Sequence, residues 1–290
     1  VPRIALLIFP IAIVAIGFAG IFVRLAQPAP PVVVGFYRML FAALLLSGWV
    51  ALRRPPLHLR SRTALLAFAS GLCFGTDIAL WQTSVLLTTV ATATLLVNLT
   101  PVHVGLFARF VRGQRLPARF VAGAALALLG TGVLMGEPGG GPEDLRGMLL
   151  AIAASLFYAA YILVMGEARR EIDVFSALYA MTLGAATVLL VAALGRGDPL
   201  HGFPAHSWSV MLAAAVVSQL VGVFGIVWAL RYLPATLASV GLLGQPLSAA
   251  ALAWWILGEP VGGVQALGGV AVLLGIALAS LARARMARGS

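Results

Sequence analysis

The chain has 290 residues, of which 61% are hydrophobic and only 10% charged, with a net charge of +10 and one cysteine. A soluble domain is roughly half apolar and a quarter charged, so this composition and a mean hydropathy of +1.04 exclude a solvated globular surface and describe an integral membrane protein. The lone Cys73 excludes a disulfide or a cysteine-based metal site. The positive charge comes entirely from arginines clustered in short loops, which is the positive-inside bias of a membrane protein rather than a nucleic-acid footprint. No lysine occurs, which points to a GC-rich, bacterial genome.

Apolar runs bounded by Arg, Pro or Gly clusters predict ten membrane helices, at about 4–24, 31–52, 63–87, 88–109, 118–137, 147–167, 173–195, 207–230, 234–256 and 261–282. Each approaches the roughly 20 apolar residues that a spanning helix needs, and none shows the ten-residue alternation of a membrane strand. The first run, IALLIFPIAIVAIGFAG, is long for a signal sequence and another span follows almost at once, so it is expected to remain as a helix. Because the chain begins at Val1, a start residue or tag is expected to be missing.

Ten spans put both termini on one side. The loops of that side hold Arg3, Arg53, Arg54, Arg60, Arg62, Arg109, Arg112, Arg115, Arg119, Arg169, Arg170, Arg231, Arg283, Arg285 and Arg288. The opposite loops hold only Arg24, Arg146 and Arg196, and Arg38 lies within a span. This asymmetry predicts cytoplasmic N- and C-termini.

Shifting the sequence by 145 residues aligns 84–135 with 229–280 without a gap. Pro101 then meets Pro246, Gly113 meets Gly258, Gly123 meets Gly268 and Gly130 meets Gly275. Farther upstream an offset near 142 brings Tyr37 onto Tyr179. The Gly/Pro-rich stretch GEPGGGPEDLRG (136–147) divides the spans into five and five. Five is odd, so two successive copies must enter the membrane from opposite sides, which is an inverted-topology repeat. The expected organisation is a first repeat over 1–137, a periplasmic linker over 138–146, an inverted second repeat over 147–284 and a cytoplasmic tail over 285–290.

Pro101 and Pro246 lack an amide hydrogen, so each is expected to leave a carbonyl one turn back unpaired. In lipid that is tolerated where neighbouring groups or cavity water satisfy it. The prolines therefore read either as plain kinks or as kinks that line a pathway.

Ten spans in two five-helix halves, a polar residue close before each of these prolines, and the LGEP at 257–260 resemble the EamA-type family of the drug/metabolite transporter superfamily. The resemblance covers the whole chain, and overall likeness points to its aromatic amino-acid exporter branch, the YddG type. Gly113-Gln114 departs from the usual Gly-Glu, which Gly258-Glu259 keeps. The resemblance implies an all-α integral membrane fold of ten transmembrane helices in two inverted repeats. It also implies a secondary transporter in the bacterial inner membrane that exports small neutral or zwitterionic metabolites, amino acids among them. A passive channel, or a carrier for drugs or nucleotide-sugar-like metabolites, remains the alternative reading.

In such transporters the substrate site lies near the midplane, at the repeat interface. The polar residues expected there are Asp77, Asn98, Tyr158, Tyr161, Gln219 and Gln245. Asn98, Gln219 and Gln245 read equally as cavity lining or as interhelical hydrogen-bond glue, worth about 0.6 kcal/mol each. Tyr158 and Tyr161, three apart, form either a stacking wall or plain packing. Asp77 is the one acid deep within a span, and such a residue is by default functional. It reads as a proton carrier, an anchor for an amine, or half of an ion pair with Arg38. At 1.5 Å rise per residue the two lie roughly 15 Å and 10 Å from the same membrane face. Arg38 reads otherwise as a side chain snorkelling to the headgroups. His103 either titrates near neutral pH or bonds a backbone carbonyl. Trp81, Gln82, Trp228, Trp254 and Trp255 lie nearer the span ends, where aromatic anchoring is expected.

Helix-weakening residues, Gly71, Gly75, Pro101, Gly222, Gly225 and Pro246, are expected as hinges. No phosphate-cradling G-x-x-x-x-G-K-[ST] occurs, and no nucleophile triad or metal-ligand spacing stands out. The chain is therefore not expected to be an enzyme or to hold a cofactor or metal. Its expected partners are a small-molecule substrate and the lipid bilayer, without nucleic acid, as a monomer or weak homodimer.

Overall fold

The computed structural model describes residues 4–53, 61–84, 86–87, 90–135, 144–257 and 262–286. The Gly/Pro-rich linker over 136–143 and the Gly258-Glu259 pair lie outside the described residues. Helices account for nearly all the rest, and no strand occurs among the described residues. In chain order they are α1 (Ala5–Leu25), α2 (Pro31–Arg53), α3 (Arg62–Ser84), α4 (Val90–Val97), α5 (Thr100–Phe110), α6 (Ala118–Met135), α7 (Leu145–Ala168) and α8 (Val174–Arg196). Then follow α9 (Ala205–Ala214), a π-helical stretch (Ala215–Val223), α10 (Phe224–Ala229), α11 (Ala235–Gly241), α12 (Gly244–Leu257) and α13 (Gly263–Met286).

Eight of the resulting rods are long and apolar enough to cross a membrane, and two shorter apolar helices, Ala118–Val133 and Gly263–Ala279, complete the set. They fall on the ten runs read from the sequence. Three of those runs differ from the continuous helices expected. The fourth span is α4 and α5, broken at Asn98-Leu99, and the ninth is α11 and α12, broken at Leu242-Leu243. The eighth is α9 and α10 joined through the π-helical stretch.

The two breaks have one cause. Each sits just before its proline, where the missing amide cannot continue the ladder. The carbonyl four residues before Pro101 belongs to Val97, and the Thr100 hydroxyl donates to it at 2.9 Å. The carbonyl four residues before Pro246 belongs to Leu242, and the Gln245 amide donates to it at 2.9 Å. Both orphaned acceptors are thus satisfied locally, as a backbone in lipid requires.

The packing is symmetric across the halves. The related pairs α2 and α8, and α6 and α13, each meet their counterpart, and the fourth and ninth spans meet through α5 and α11. The third span, α3, packs on α7 and α8 of the second half, while the eighth, in mirror fashion, packs on α1 and α2 of the first. This cross-packing is what two interlocked inverted repeats produce, and it brings the middles of the third, sixth and ninth spans together.

Small residues make these crossings close, since apolar burial alone does not drive helices together in lipid. A Cβ at Gly123 would lie 2.7 Å from the carbonyl oxygen of Gly275, and one at Gly130 would lie 2.8 Å from that of Gly268. The two glycine pairs that the sequence shift superimposes thus meet crosswise across α6 and α13, Gly123 against Gly275 and Gly130 against Gly268, as an antiparallel crossing requires. Gly71 abuts the Met181 carbonyl, and Gly75 sits where a Cβ would meet the Ala185 oxygen at 2.8 Å. Gly222 and Gly225 lie against α1, at Ile16 and Ala12. All four glycines read as hinges thus stand at tight helix crossings.

Candidate substrate site

Asp77 lies in the C-terminal half of α3 and is buried, with its Oδ1 lacking any hydrogen-bond partner. One turn back, Phe74 packs its ring on the second half, with ring centroids 5.0 Å from Tyr161 and 6.3 Å from Tyr158. The two tyrosines, three residues apart on α7, stack nearly parallel at 5.6 Å and 12°. That i, i+3 spacing places both rings on one helix face. Gln245, at the start of α12, donates from Nε2 to the Tyr158 hydroxyl at 3.0 Å. The break at Leu242-Leu243 sets Gln245 in the first turn of the new helix, facing α7. The Tyr161 hydroxyl is buried without a partner.

Arg38 approaches from α2. Gly35, one turn nearer the end of that helix, sits where a Cβ would meet the Ile78 side chain at 3.7 Å, which brings Arg38 to within about a turn of Asp77 along the crossing. Each charge lies within electrostatic reach of the other. No ion pair with N···O of 4.0 Å or less joins them among the described residues, and the Arg38 Nε is buried without a partner. The expected pair is therefore a near approach rather than a direct contact, with polar capacity left over on both sides.

The remaining sequence-read residues form two neighbouring nodes. Asn98, half-buried at the α4–α5 break, turns its amide back to the Thr94 carbonyl at 2.7 Å. Gln219, fully buried in the π-helical stretch, donates to Thr182 of α8 at 3.1 Å and leaves its Oε1 without a partner. Neither is hydrogen-bonded to the tyrosine group. So Asp77, Tyr158, Tyr161 and Gln245 come together with Arg38 beside them, while Asn98 and Gln219 act on adjacent helices. The π-helical stretch itself, a form frequent at functional sites, leaves no periodicity signal in an all-apolar run.

His103 finds a side chain rather than the backbone carbonyl expected for it. Its Nδ1 lies 3.1 Å from the Ser155 Oγ. The Ser155 hydroxyl already donates to the Ile152 carbonyl at 2.7 Å, so its oxygen accepts and the His103 Nδ1 carries the proton. This contact joins the first half to the second beside the α4–α5 break, where the Thr100 hydroxyl, its one proton directed mainly at Val97, also approaches the Ser155 carbonyl at 3.4 Å.

Sequence reasoning missed Phe74, Ser155 and Thr182. Phe74 was findable as the residue one turn from Asp77 on its own face. Thr182 was hidden in a span that reads as apolar throughout. Of the aromatic anchors, Trp254 and Trp255 are exposed to the surroundings, whereas the Trp81 Nε1 is buried without a partner.

At the end of α7, Arg169 is buried and donates to the carbonyls of Val227 and Ile172. Burial first, and then nearby Arg231, pulls its guanidinium down to about 10, against Asp173 and Tyr232, which favour the charge. It stays cationic at neutral pH and ties the sixth span to the eighth.

Comparison with known proteins agrees with this architecture. The pattern of the EamA-like transporter family matches residues 3–136 and again 145–281. The uncharacterized transporter YwfM of Bacillus subtilis is 25% identical over 259 residues, covering 88% of this chain and 86% of that protein. The aromatic amino acid exporter YddG of Ancylobacter novellus is 40% identical over 75 residues, covering 24% of this chain and 26% of that one. A solved crystal structure superimposes with a TM-score of 0.84 at 21% identity over 99% of both chains, a likeness of fold. With ten membrane helices in two interlocked repeats and a family pattern matched once in each, the chain belongs to the EamA-like transporter family of the drug/metabolite transporter superfamily.

Proposed function

We propose that this transporter works by alternating access and exports small neutral or zwitterionic metabolites, aromatic amino acids among them, across the bacterial inner membrane. The observation that carries this reading is the aromatic wall of Phe74, Tyr158 and Tyr161, supplied by both halves, beside the one acid buried in a span among the described residues and the Gln245 amide that donates to Tyr158. The wall suits an aromatic side chain, and the acid and amide suit its polar end. The 75-residue likeness to an aromatic amino acid exporter supports the same substrate class. Asn98 and Gln219 border the pathway at the α4–α5 break and in the π-helical stretch. Residues 1–137 and 147–284 are the two moving units.

Purified protein in liposomes tests the reading. Uptake of labelled phenylalanine saturates, and Tyr158→Ala raises the half-saturation concentration about tenfold, the loss of one stacking partner worth roughly 1 kcal/mol or more. Unchanged uptake in Tyr158→Ala would place the site elsewhere. The arginine distribution supports cytoplasmic termini. Single cysteines at Gly140 and Ser290, with Cys73 replaced, report on this through an impermeant thiol reagent applied to whole cells. Labelling at 290 but not at 140 would reverse the orientation.

A further inference from the structure

Asp77 and Arg38 form an unfinished pair. Both lie within candidate membrane spans, Asp77 buried on α3 and Arg38 half-buried on α2. Each keeps one buried polar atom with no partner, Oδ1 on Asp77 and Nε on Arg38. Gly35, one turn from Arg38 on α2, faces Ile78, the chain neighbour of Asp77, yet the two charges do not close to ion-pair distance. A carboxyl and a guanidinium held this near in a low-dielectric interior gain most by direct contact, and leaving either short of partners is costly. The arrangement is economical only if a third group, bearing a complementary charge for each, completes it. The aromatic wall begins one turn from Asp77 at Phe74 and continues through Tyr161 and Tyr158.

We propose that Asp77 and Arg38 divide the two charges of an α-amino acid, Asp77 Oδ1 accepting from the α-ammonium and the Arg38 Nε edge donating to the α-carboxylate. This rests on the reading of the aromatic wall as an amino-acid site and assigns its polar selectivity. The side chain then lies along Phe74, Tyr161 and Tyr158, with Gln245 holding the Tyr158 hydroxyl in place. Selectivity follows from the same geometry. A ligand lacking either charged group leaves one buried partner unsatisfied, which is the condition under which polar sites discriminate most sharply.

Competition against labelled phenylalanine in liposomes tests the division of roles. The probes are β-phenethylamine, which lacks the carboxylate, and 3-phenylpropionate, which lacks the ammonium. In the wild type both compete at least about 100-fold more weakly than phenylalanine, each leaving one buried partner unmatched. Asp77→Asn weakens phenylalanine and phenethylamine about tenfold but leaves 3-phenylpropionate unchanged or improved, because only the first two used the lost acceptor. Arg38→Gln gives the mirror pattern. The proposal is overturned if each variant weakens all three probes alike, which is the signature of a structural pair. It is equally overturned if either truncated probe competes within about threefold of phenylalanine in the wild type, a result that needs no variant to fold. If neither variant alters any competition while Tyr158→Ala still weakens phenylalanine, the clamp is wrong and the aromatic site stands. If Tyr158→Ala is silent as well, the reading of the aromatic wall itself fails.

Discussion

Glu167, in the last turn of α7, pairs with Arg112 just beyond α5, and the two residues belong to different halves of the molecule. Arg170 takes the second carboxylate oxygen at 3.1 Å, and Arg112 also lies over the Phe107 ring at 5.5 Å. At the opposite end, Arg196 donates to the Thr83 hydroxyl at 3.2 Å and pairs with Asp198 at 3.3 Å, again joining the halves. Exposed ion pairs are worth about 0–1 kcal/mol. Such links are strong enough to bias a face shut and weak enough to break in every cycle.

The Arg112–Glu167 link is accordingly expected to be a gate at the end proposed to face the cytoplasm. Cysteines at both positions, with Cys73 replaced by Ala, should cross-link readily, and the cross-link should abolish liposome flux until it is reduced. Full flux in the oxidised double-cysteine protein would show that this contact persists throughout the cycle.

The proline breaks and the close-packed glycines should separate in their effects. Pro246→Ala restores an amide that can bond the Leu242 carbonyl, straightening the ninth span and turning Gln245. Turnover should fall severalfold with little loss of protein stability. Gly71→Ala instead drives a methyl into the Met181 carbonyl across α3 and α8, an overpacking that costs about 1–3 kcal/mol. Its signature should be a lower melting temperature in detergent. Gly75→Ala, where the Ala185 oxygen is less close, should show the same effect more weakly. An unchanged melting temperature in Gly71→Ala would mean that α3 and α8 are not packed as described.

Much of this architecture was legible from residue order. Hydropathy fixed the ten rods because the bilayer dictates their length, and the Pro101/Pro246 and glycine correspondences betrayed the repeat because both copies need the same breaks and crossings. The details that depend on which face a residue presents were not legible. Gly71, Gly75, Gly222 and Gly225 read as flexible points, yet a glycine that loosens an isolated helix is also the one that lets two backbones approach. Asn98 and Gln219 share a polar character with Gln245, but only Gln245 is turned by its helix break toward the tyrosines. Uniformly apolar spans carry no amphipathic signal to say which side faces inward.

Asp77 is the one acid in a span interior among the described residues, and the groups around it are Arg38 on α2 and Tyr158 on α7. Among the described residues the other acid within a span, Glu167, sits at the end of α7, held by Arg112 and Arg170, and no acid lies between it and Asp77 in the span interiors to pass a proton onward. An imposed pH gradient should therefore change wild-type flux little, while Asp77→Asn should lower downhill flux at every pH. Strong acceleration of the wild type by a pH gradient, lost in Asp77→Asn, would establish proton coupling through this carboxyl.

The central claim, a carrier whose two halves expose one site alternately, is tested most directly by counterflow. Liposomes containing the purified protein are loaded with unlabelled phenylalanine and diluted into a trace of labelled phenylalanine. The account predicts a transient accumulation of label above its equilibrium level, since a returning site is occupied by the internal substrate and exchanges it for the external one. Label that only equilibrates, at a rate that never saturates and is indifferent to the internal load, would contradict it and identify a passive pore.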